Sequence, residues 1–224
     1  MSFDNLPPDL YLENNVPPTR LRRFARYLVT PVDLQQFEIT HQENVIFEQQ
    51  VSDKRGRPRT FSEIEAPFLY SGLLMEMIGH ASTLSLAHHC HTHDKPLVNS
   101  QMDFPVQGLQ VDVHQVRQQC YQGVSAHNAP EGIHRDGADY IVSAFVVQRK
   151  HVRGGVSTIL SQDKDPIFST TLQEGEGLFH EDRELWHYVE PIENEDEDLG
   201  NRDIVTRGVG FRDILGLDIT LLYE

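Results

Sequence analysis

Hydrophobic residues recur at helical spacing in one long segment, residues 67–90. The apolar positions are Leu69, Leu73, Leu74, Met77, Ile78, Leu84 and Leu86. This spacing predicts a helix. A second, shorter helix is predicted over residues 20–28, because Thr19 is a suitable N-cap residue and Pro31 would stop the helix.

After Pro96 the pattern changes to short strand-like segments separated by Gly and Pro turns. The predicted strands are residues 97–104, 109–119, 139–148, 156–161, 167–172, 177–180, 185–190 and 203–211. Residues 36–50 are also strand-like. Evenly spaced short strands of this kind favour a sandwich or barrel. We therefore expect an N-terminal arm with a short helix over residues 1–30, followed by a single domain over residues 31–224 that is mostly β with flanking helices.

The charge of the chain narrows the classes of partner. Its 224 residues include 19 Lys and Arg against 34 Asp and Glu, a formal net charge of -15. A surface this acidic repels phosphate backbones and anionic lipid, so neither nucleic acid nor a membrane is the expected partner. A small-molecule substrate fits better, and the oligomeric state is not predicted.

The expected location is the cytoplasm. No apolar run approaches the roughly 20 residues that a bilayer-spanning helix needs, and the N-terminus lacks the basic and apolar regions of a secretory signal. The chain has only two cysteines, Cys90 and Cys120. Two cysteines exclude a disulfide scaffold and a Cys-rich zinc module, and we expect both thiols to be reduced.

The densest group of histidines spans residues 88–93, in the order His88, His89, Cys90, His91, Thr92, His93. Its composition is compatible with zinc or copper. However, the group lies at the end of the predicted long helix, where histidines suit the negative end of the helix dipole. A helix terminus is the favoured interpretation, and metal binding is the alternative.

His134 and Asp136 form a different kind of candidate. On a strand, residues two apart project from the same face, so an imidazole and a carboxylate can approach one ion from adjacent directions. An HxD triplet alone is a weak signal, since His180-Glu181-Asp182 is a second one. The first triplet gains weight because His187 follows about fifty residues later on a predicted strand and can serve as a third ligand.

Two histidines and one carboxylate on one face of an octahedral ion leave three positions open, as in non-haem Fe(II) oxygenases. A structural zinc site would instead be closed. An oxo-acid cosubstrate would need an anchor for its far carboxylate, and the arginine fork matches that group. Arg202 and Arg207 are the candidates. They are an odd number of residues apart, so only one should face the site.

These features occur within longer stretches that resemble a known family. The stretches are residues 130–141 (PEGIHRDGADYI), 153–157 (RGGVS), 181–183 (EDR), His187, 191–192 (PI) and 202–205 (RDIV). In their order and spacing they resemble the 2-oxoglutarate/Fe(II) dioxygenase family that includes the bacterial L-isoleucine dioxygenases and biofilm-stress-associated relatives. The resemblance covers roughly residues 97–211, and it assigns Asp182 to an Asp-Arg element rather than to a rival HxD site.

The resemblance implies a double-stranded β-helix, or jelly roll, with helices packed on one sheet. It implies an Fe(II)- and 2-oxoglutarate-dependent dioxygenase that uses O2 to hydroxylate a small molecule, most often a free L-amino acid, and releases succinate and CO2. Two other classes stay open from the residues. One is a cupin-like metal-binding or sensor protein without turnover, and the other is a metal-dependent isomerase or hydrolase on the same barrel.

The resemblance also implies roles for individual residues. The implied iron ligands are His134, Asp136 and His187. Arg202 is the implied anchor of 2-oxoglutarate, and Arg207 stays an alternative because the run after Arg202 is interrupted. A hydroxyl such as that of Ser157 or Tyr140 is expected to help hold the cosubstrate.

Overall fold

In the computed structural model the described residues are 3–12, 17–33, 36–47, 50–51, 54–55, 59–92, 106–195 and 209–223. The long strands are β1 (Arg20–Pro31), β2 (Phe37–Gln42), β5 (Val106–Cys120), β6 (Tyr140–Lys150), β8 (Val156–Leu160), β9 (Pro166–Thr171) and β13 (Gly210–Tyr223). The short strands are β3 (Gln50–Val51), β4 (Lys54–Arg55), β7 (Val152–Gly154), β10 (Phe179–Glu181), β11 (Trp186–Val189) and β12 (Ile192–Asn194). The helices are α1 (Ala66–Leu69) and α2 (Gly72–Thr92).

The strands form antiparallel sheets. The largest has six strands in the order β10-β6-β13-β5-β1-β2, and a second has three in the order β11-β8-β9. Two short pairs, β12-β7 and β3-β4, complete the described sheets. This arrangement confirms the predicted fold class, mostly β with few helices and related to the jelly-roll barrels.

The six-stranded sheet has one apolar face and one mixed face. Residues at alternate positions of β13, namely Leu215, Leu217 and Ile219, join the main core, which also contains Leu74 and Ile78 of α2. A smaller apolar cluster that includes Ile214 packs on the other face, which we call the inward face because it lies towards the three-stranded sheet. Period-two alternation along β13 therefore separates a helix-covered core from the interior of the barrel.

The helix predicted over residues 20–28 is wrong, because this segment is part of strand β1. Ala25, Tyr27 and Val29 alternate into the core under the helices, as a strand with one buried face requires. The same segment pairs with β5 from Arg20 to Val29 and with β2 from Arg26 to Pro31. The capping residue and the proline were local signals, and long-range pairing with β5 overrides them.

The long predicted helix is confirmed as α2, which is preceded by the single turn α1. Predicted strands at 109–119, 139–148, 156–161, 167–172, 177–180 and 185–190 correspond to β5, β6, β8, β9, β10 and β11. The strand predicted at 97–104 and most of that at 203–211 lie outside the described residues. Strand β13 extends to Tyr223, well beyond the predicted end. Within the described ranges, neither helix combines the length and apolar character needed to cross a membrane.

Candidate active site

An antiparallel bridge brings the two histidines of the candidate site side by side. The backbone N–H of His134 donates to the carbonyl of His187, and the N–H of His187 donates to the carbonyl of His134, both at 3.0 Å. Side chains directly opposite each other in such a pair lie on the same face. The two imidazole centroids are 4.2 Å apart as a result.

Asp136 completes the group. Its Oδ1 is 3.7 Å from Nε2 of His134, and its Oδ2 is 3.4 Å from Nε2 of His187. One donor atom from each of the three residues lies within 4.8 Å of the others. The chain turns directly after the aspartate at Gly137, whose φ of 88° is in the region that favours glycine. Two imidazole nitrogens and a carboxylate oxygen thus converge on one point.

The electrostatics of the three residues are mutually dependent. Burial alone raises the pKa of Asp136, but the hydrogen bond and charge of His187, with the charge of His134, hold that pKa well below its ordinary value. Burial alone lowers the pKa of His187, but Asp136 outweighs burial and the net pKa is raised. The carboxylate is therefore ionised and draws positive charge towards the group, which suits a divalent cation.

Two further contacts orient these side chains. Nδ1 of His134 donates to the carbonyl oxygen of Gly132 at 2.8 Å, which leaves Nε2 directed at Asp136. The carboxylate of Asp182 accepts the backbone N–H groups of Asp136 at 3.2 Å and of Gly137 at 2.7 Å, and lies 3.7 Å from Nδ1 of His187. Asp182 is fully buried. The Asp-Arg element therefore supports the HxD turn.

A cavity of about 200 Å³ opens beside the three residues. Its opposite wall is the inward face of the six-stranded sheet. The residues lining it include His134, Asp136 and His187 together with Arg22, His114, Val116, Ile214, Gly216 and Asp218. A cavity of this size suits small molecules rather than a polymer.

Ser157 lies on the same face as His187. It is opposite Val189 in the β8–β11 pair, and Val189 is two residues from His187. Ser157 is 2% exposed, and its hydroxyl has no hydrogen-bond partner among the residues that the structure describes. A buried hydroxyl without a partner is costly, so a ligand that accepts or donates a hydrogen bond there would stabilise it.

The other predicted cosubstrate residues are placed differently. The ring of Tyr140 stacks on Phe179 with centroids 5.8 Å apart and belongs to the core under the helices. The structure does not bring Tyr140 to the cavity. Arg202 and Arg207 both lie outside the described residues, so their roles stay predictions.

Sequence reasoning missed Arg212, which is on the inward face of β13. It is fully buried, and its guanidinium donates to Oε1 of Gln118 at 2.7 and 2.9 Å and to the carbonyl of Gly155 at 3.2 Å. No carboxylate pairs with Arg212 in the described ranges. Burial, and then the charge of Arg149, lower the pKa of Arg212 to about 9. The sequence did contain one signal for this residue. The tripeptide Arg-Asp-Ile of residues 202–204 recurs at residues 212–214, where it begins a long strand-like run.

The comparison with family models settles the class of protein. The model of the 2OG-Fe dioxygenases matches residues 1–207. The chain belongs to the 2OG-Fe dioxygenase family. It is accordingly an iron- and 2-oxoglutarate-dependent dioxygenase, with O2 and a small molecule as its other reactants. This membership decides against the two other classes, the sensor without turnover and the isomerase or hydrolase. No curated protein gives a significant match.

Solved structures share the fold of this dioxygenase. A bsmA homolog from Methylobium petroleophilum PM1 is 21% identical with a TM-score of 0.74, and the match covers 97% of this chain and 77% of the homolog. IDO from Bacillus thuringiensis is 16% identical with a TM-score of 0.60, over 91% and 75% of the two chains. The Fe(II)/α-ketoglutarate-dependent dioxygenase TqaL is 15% identical with a TM-score of 0.60, over 99% and 72%.

The histidine group at residues 88–93 does not join the candidate site. Helix α2 continues to Thr92, so the described part of the group is a helix terminus. Nδ1 of His88 is 3.8 Å from Oε2 of Glu181, and the ring of His89 lies near Tyr223. Within the described ranges, the three-residue group around Asp136 is the cluster whose donor atoms converge as a metal site requires.

Proposed function

We propose that His134, Asp136 and His187 hold the Fe(II) of this dioxygenase. The observation that carries the proposal is the convergence of two imidazoles and one carboxylate within 4.8 Å. The donor set fits iron, because two nitrogens and one oxygen on one side leave positions free for a bidentate oxo-acid. When bound, the metal and 2-oxoglutarate would activate O2, the oxidant, so that decarboxylation of 2-oxoglutarate to succinate and CO2 is coupled to hydroxylation of the substrate.

The chain's own residues position this chemistry. The His134–His187 backbone bridge fixes the spacing of the imidazoles, and the Gly132 carbonyl fixes the tautomer of His134. Asp182 fixes the turn that presents the Asp136 carboxylate. Val116 and Ile214, two members of the smaller apolar cluster, line the cavity and give it an apolar portion.

We infer that Arg212 anchors the far carboxylate of 2-oxoglutarate, with Ser157 as a hydrogen-bonding partner. An unpaired buried guanidinium is costly, and a bidentate carboxylate is the ligand that compensates it best. Arg212 lies on the same face of β13 as Ile214, which lines the cavity. Gly155, whose carbonyl accepts from Arg212, is two residues from Ser157. Arg202 and Arg207 are the alternatives predicted from the sequence.

The proposed substrate is a free L-amino acid. The resemblance to the amino acid dioxygenases favours this class, and a cavity of about 200 Å³ suits a molecule of that size. The cavity wall carries groups of both charge signs, since Arg22 and Asp218 both line it. A zwitterion matches a wall of this kind better than a purely apolar or purely anionic molecule.

The cytoplasm is the proposed location. Cys90 is a buried free thiol, which is compatible with a reducing compartment.

The test is metal-dependent conversion of 2-oxoglutarate to succinate, measured for the wild type and for His134→Ala. We expect loss of at least about 1000-fold in turnover for the variant, because a missing ligand removes the metal site. The control is His91→Ala, which removes an exposed histidine from α2 and should leave turnover unchanged. Wild-type turnover in His134→Ala, with iron still bound, would overturn the proposal.

A further inference from the structure

Three polar side chains face the metal ligands from the opposite wall of the cavity. Arg22 lies on β1, His114 on β5 and Asp218 on β13, and these strands are neighbours in the six-stranded sheet. The imidazole of His114 lies between the other two groups. Its Nδ1 contacts a terminal nitrogen of Arg22, and its Nε2 is 2.9 Å from Oδ2 of Asp218.

The chemistry of these contacts fixes the state of His114. A guanidinium can only donate, so Nδ1 accepts from Arg22 and the proton lies on Nε2, which donates to Asp218. Burial, and then the charge of Arg22, lower the pKa of His114 to about 3. The imidazole is therefore neutral and compensates neither charge. It is a spacer that holds a cation and a carboxyl group at a fixed separation.

The neighbouring arginines of the same strand show what is unusual about Arg22. Arg26 forms two hydrogen bonds to the carboxylate of Asp112, at 2.5 and 2.7 Å, and Arg20 pairs with Asp9 at 2.8 Å. Alternation places all three guanidiniums on one face of β1. Arg22 alone among these three has no carboxylate partner in the part of the chain that the structure describes.

The surroundings of Arg22 are aromatic rather than ionic. Its guanidinium lies 4.3 Å from the ring centroid of Phe61 and 5.5 Å from that of Phe47, and its buried Nε has no hydrogen-bond partner among the described residues. Aromatic faces hold the guanidinium in place without neutralising it. Asp218 accepts a hydrogen bond from His114, but it has no Lys or Arg ion-pair partner among the described residues. Burial, and then the charge of Asp136, raise its pKa well above the ordinary value of a carboxyl group.

We propose that Arg22 and Asp218 bind the carboxylate and the ammonium group of a free α-amino acid, with His114 as the positioning residue between them. The inference rests on the proposed function, because it places the head group of the primary substrate opposite the metal ligands. The cavity holds a cation and a carboxyl group that have no ion-pair partner among the described residues. A zwitterion can stabilise both groups, whereas a simple acid or a simple amine can stabilise only one of them.

The proposal predicts a specificity that either charge alone would not give. Each residue of a peptide lacks the free carboxylate, the free ammonium group or both. A peptide should therefore not bind. Loss of either group from an amino acid should weaken binding by about 30-fold or more, because one buried protein group would then stay unpaired.

The experiment measures binding separately from turnover. The common free L-amino acids are titrated without O2 into the enzyme loaded with Mn²⁺ and 2-oxoglutarate, by calorimetry. The tightest binder is then compared with its α-amide, which lacks the negative charge, and with its deamino acid, which lacks the positive charge. The same three ligands are titrated into Arg22→Gln and Asp218→Asn.

The expected result is a crossed pattern. Arg22→Gln should lose the preference for the amino acid over its amide and keep the preference over the deamino acid, whereas Asp218→Asn should show the reverse. Arg22→Lys keeps the charge and should retain part of the preference over the amide, which separates a lost contact from misfolding. The control is the double variant Arg26→Gln with Asp112→Asn, which removes an internally paired arginine from the same face and should keep both preferences.

The outcomes distinguish this proposal from the proposed function. If both single variants keep the wild-type preferences, or if no free amino acid binds while 2-oxoglutarate is still converted, the head-group site is wrong and the dioxygenase assignment stands. If the crossed pattern is found and 2-oxoglutarate is never converted, the head-group site stands and the proposed function is wrong.

Discussion

The two faces of strand β13 follow opposite rules. Leu215, Leu217 and Ile219 point under α2 and are completely buried among other apolar side chains. On the inward face, Arg212 is fully buried and Asp218 is half-buried, yet neither has a Lys, Arg, Asp or Glu side chain as an ion-pair partner among the described residues. Apolar burial stabilises the fold, whereas burial of uncompensated charge costs stability. The helix-covered face therefore stabilises the fold, and we propose that the inward face binds the ligands.

The largest expected effect comes from removing the buried cation of the inward face. Arg212→Leu should raise the Kd for 2-oxoglutarate by about 100-fold or more, because a charge-assisted bidentate contact is lost. The melting temperature should change little, because relief of the buried charge offsets the loss of the hydrogen bonds to Gln118 and Gly155. Calorimetric titration of 2-oxoglutarate and a thermal melt check both. An unchanged Kd here, with a raised Kd in Arg202→Leu or Arg207→Leu, would move the anchor to the sequence-predicted arginine.

The reciprocal change on the helix-covered face should do the opposite. Leu217→Ala removes a completely buried side chain next to the helix and should lower the free energy of unfolding by about 2–5 kcal/mol. The Kd for 2-oxoglutarate should change by less than about twofold, because the site lies on the other face. Urea denaturation followed by titration of the folded variant measures the two quantities. A large change in the Kd with little loss of stability would contradict the division of the strand into two faces.

A smaller effect is expected from the carboxylate that supports the HxD turn. Asp182→Asn should weaken Mn²⁺ binding by about 10–100-fold, because the amide cannot accept both backbone N–H groups as the carboxylate does. Asp139→Asn is the matched control. Asp139 is a buried carboxylate that accepts the N–H of Leu221 at 2.7 Å and pairs with Arg183, and its side chain makes no hydrogen bond to the HxD turn among the described residues. Equal losses of metal affinity in the two variants would show that Asp182 has only a general structural role.

The smallest expected effect concerns the volume of the cavity. Gly216 lines the cavity, and a Cβ added there would meet its nearest neighbour, Cβ of His114, at 3.6 Å, an ordinary contact. Gly216→Ala should therefore raise the free energy of unfolding by about 0.4–1 kcal/mol through the unfolded state. It should also lower kcat/KM for the bulkiest accepted substrate by a few-fold, about 1 kcal/mol for one methyl group in a packed pocket. Unchanged relative rates across a substrate series would show that this part of the cavity does not contact substrate.

Local sequence patterns predict much of the fold. Helix α2 follows from a sustained apolar spacing, and most strands of the barrel follow from their turns, because both signals lie within a few residues of each other. Strand β1 could not be predicted from local patterns. Its local signals, Thr19 and Pro31, favour a helix, and its partner β5 is about ninety residues away in the sequence.

In the candidate site, too, local patterns predict some residues and miss others. His134, Asp136 and His187 could be predicted because their spacing on strands places donors on one face, and the structure brings them together. Arg212 could not be separated from other arginines in this way. What distinguishes it is the absence of a carboxylate partner in a fully buried position, and that property depends on Gln118, Gly155 and the rest of the folded interior. Asp182 likewise acts through backbone groups 45 and 46 residues away.

The most direct measurement is an experimental structure of the enzyme with Mn²⁺ and 2-oxoglutarate, in which the redox-inert metal stands in for Fe(II). We predict one metal ion bound by Nε2 of His134, Nε2 of His187 and a carboxylate oxygen of Asp136, with the far carboxylate of 2-oxoglutarate on the guanidinium of Arg212. A metal bound by other side chains, or 2-oxoglutarate bound away from these three residues, would contradict this prediction.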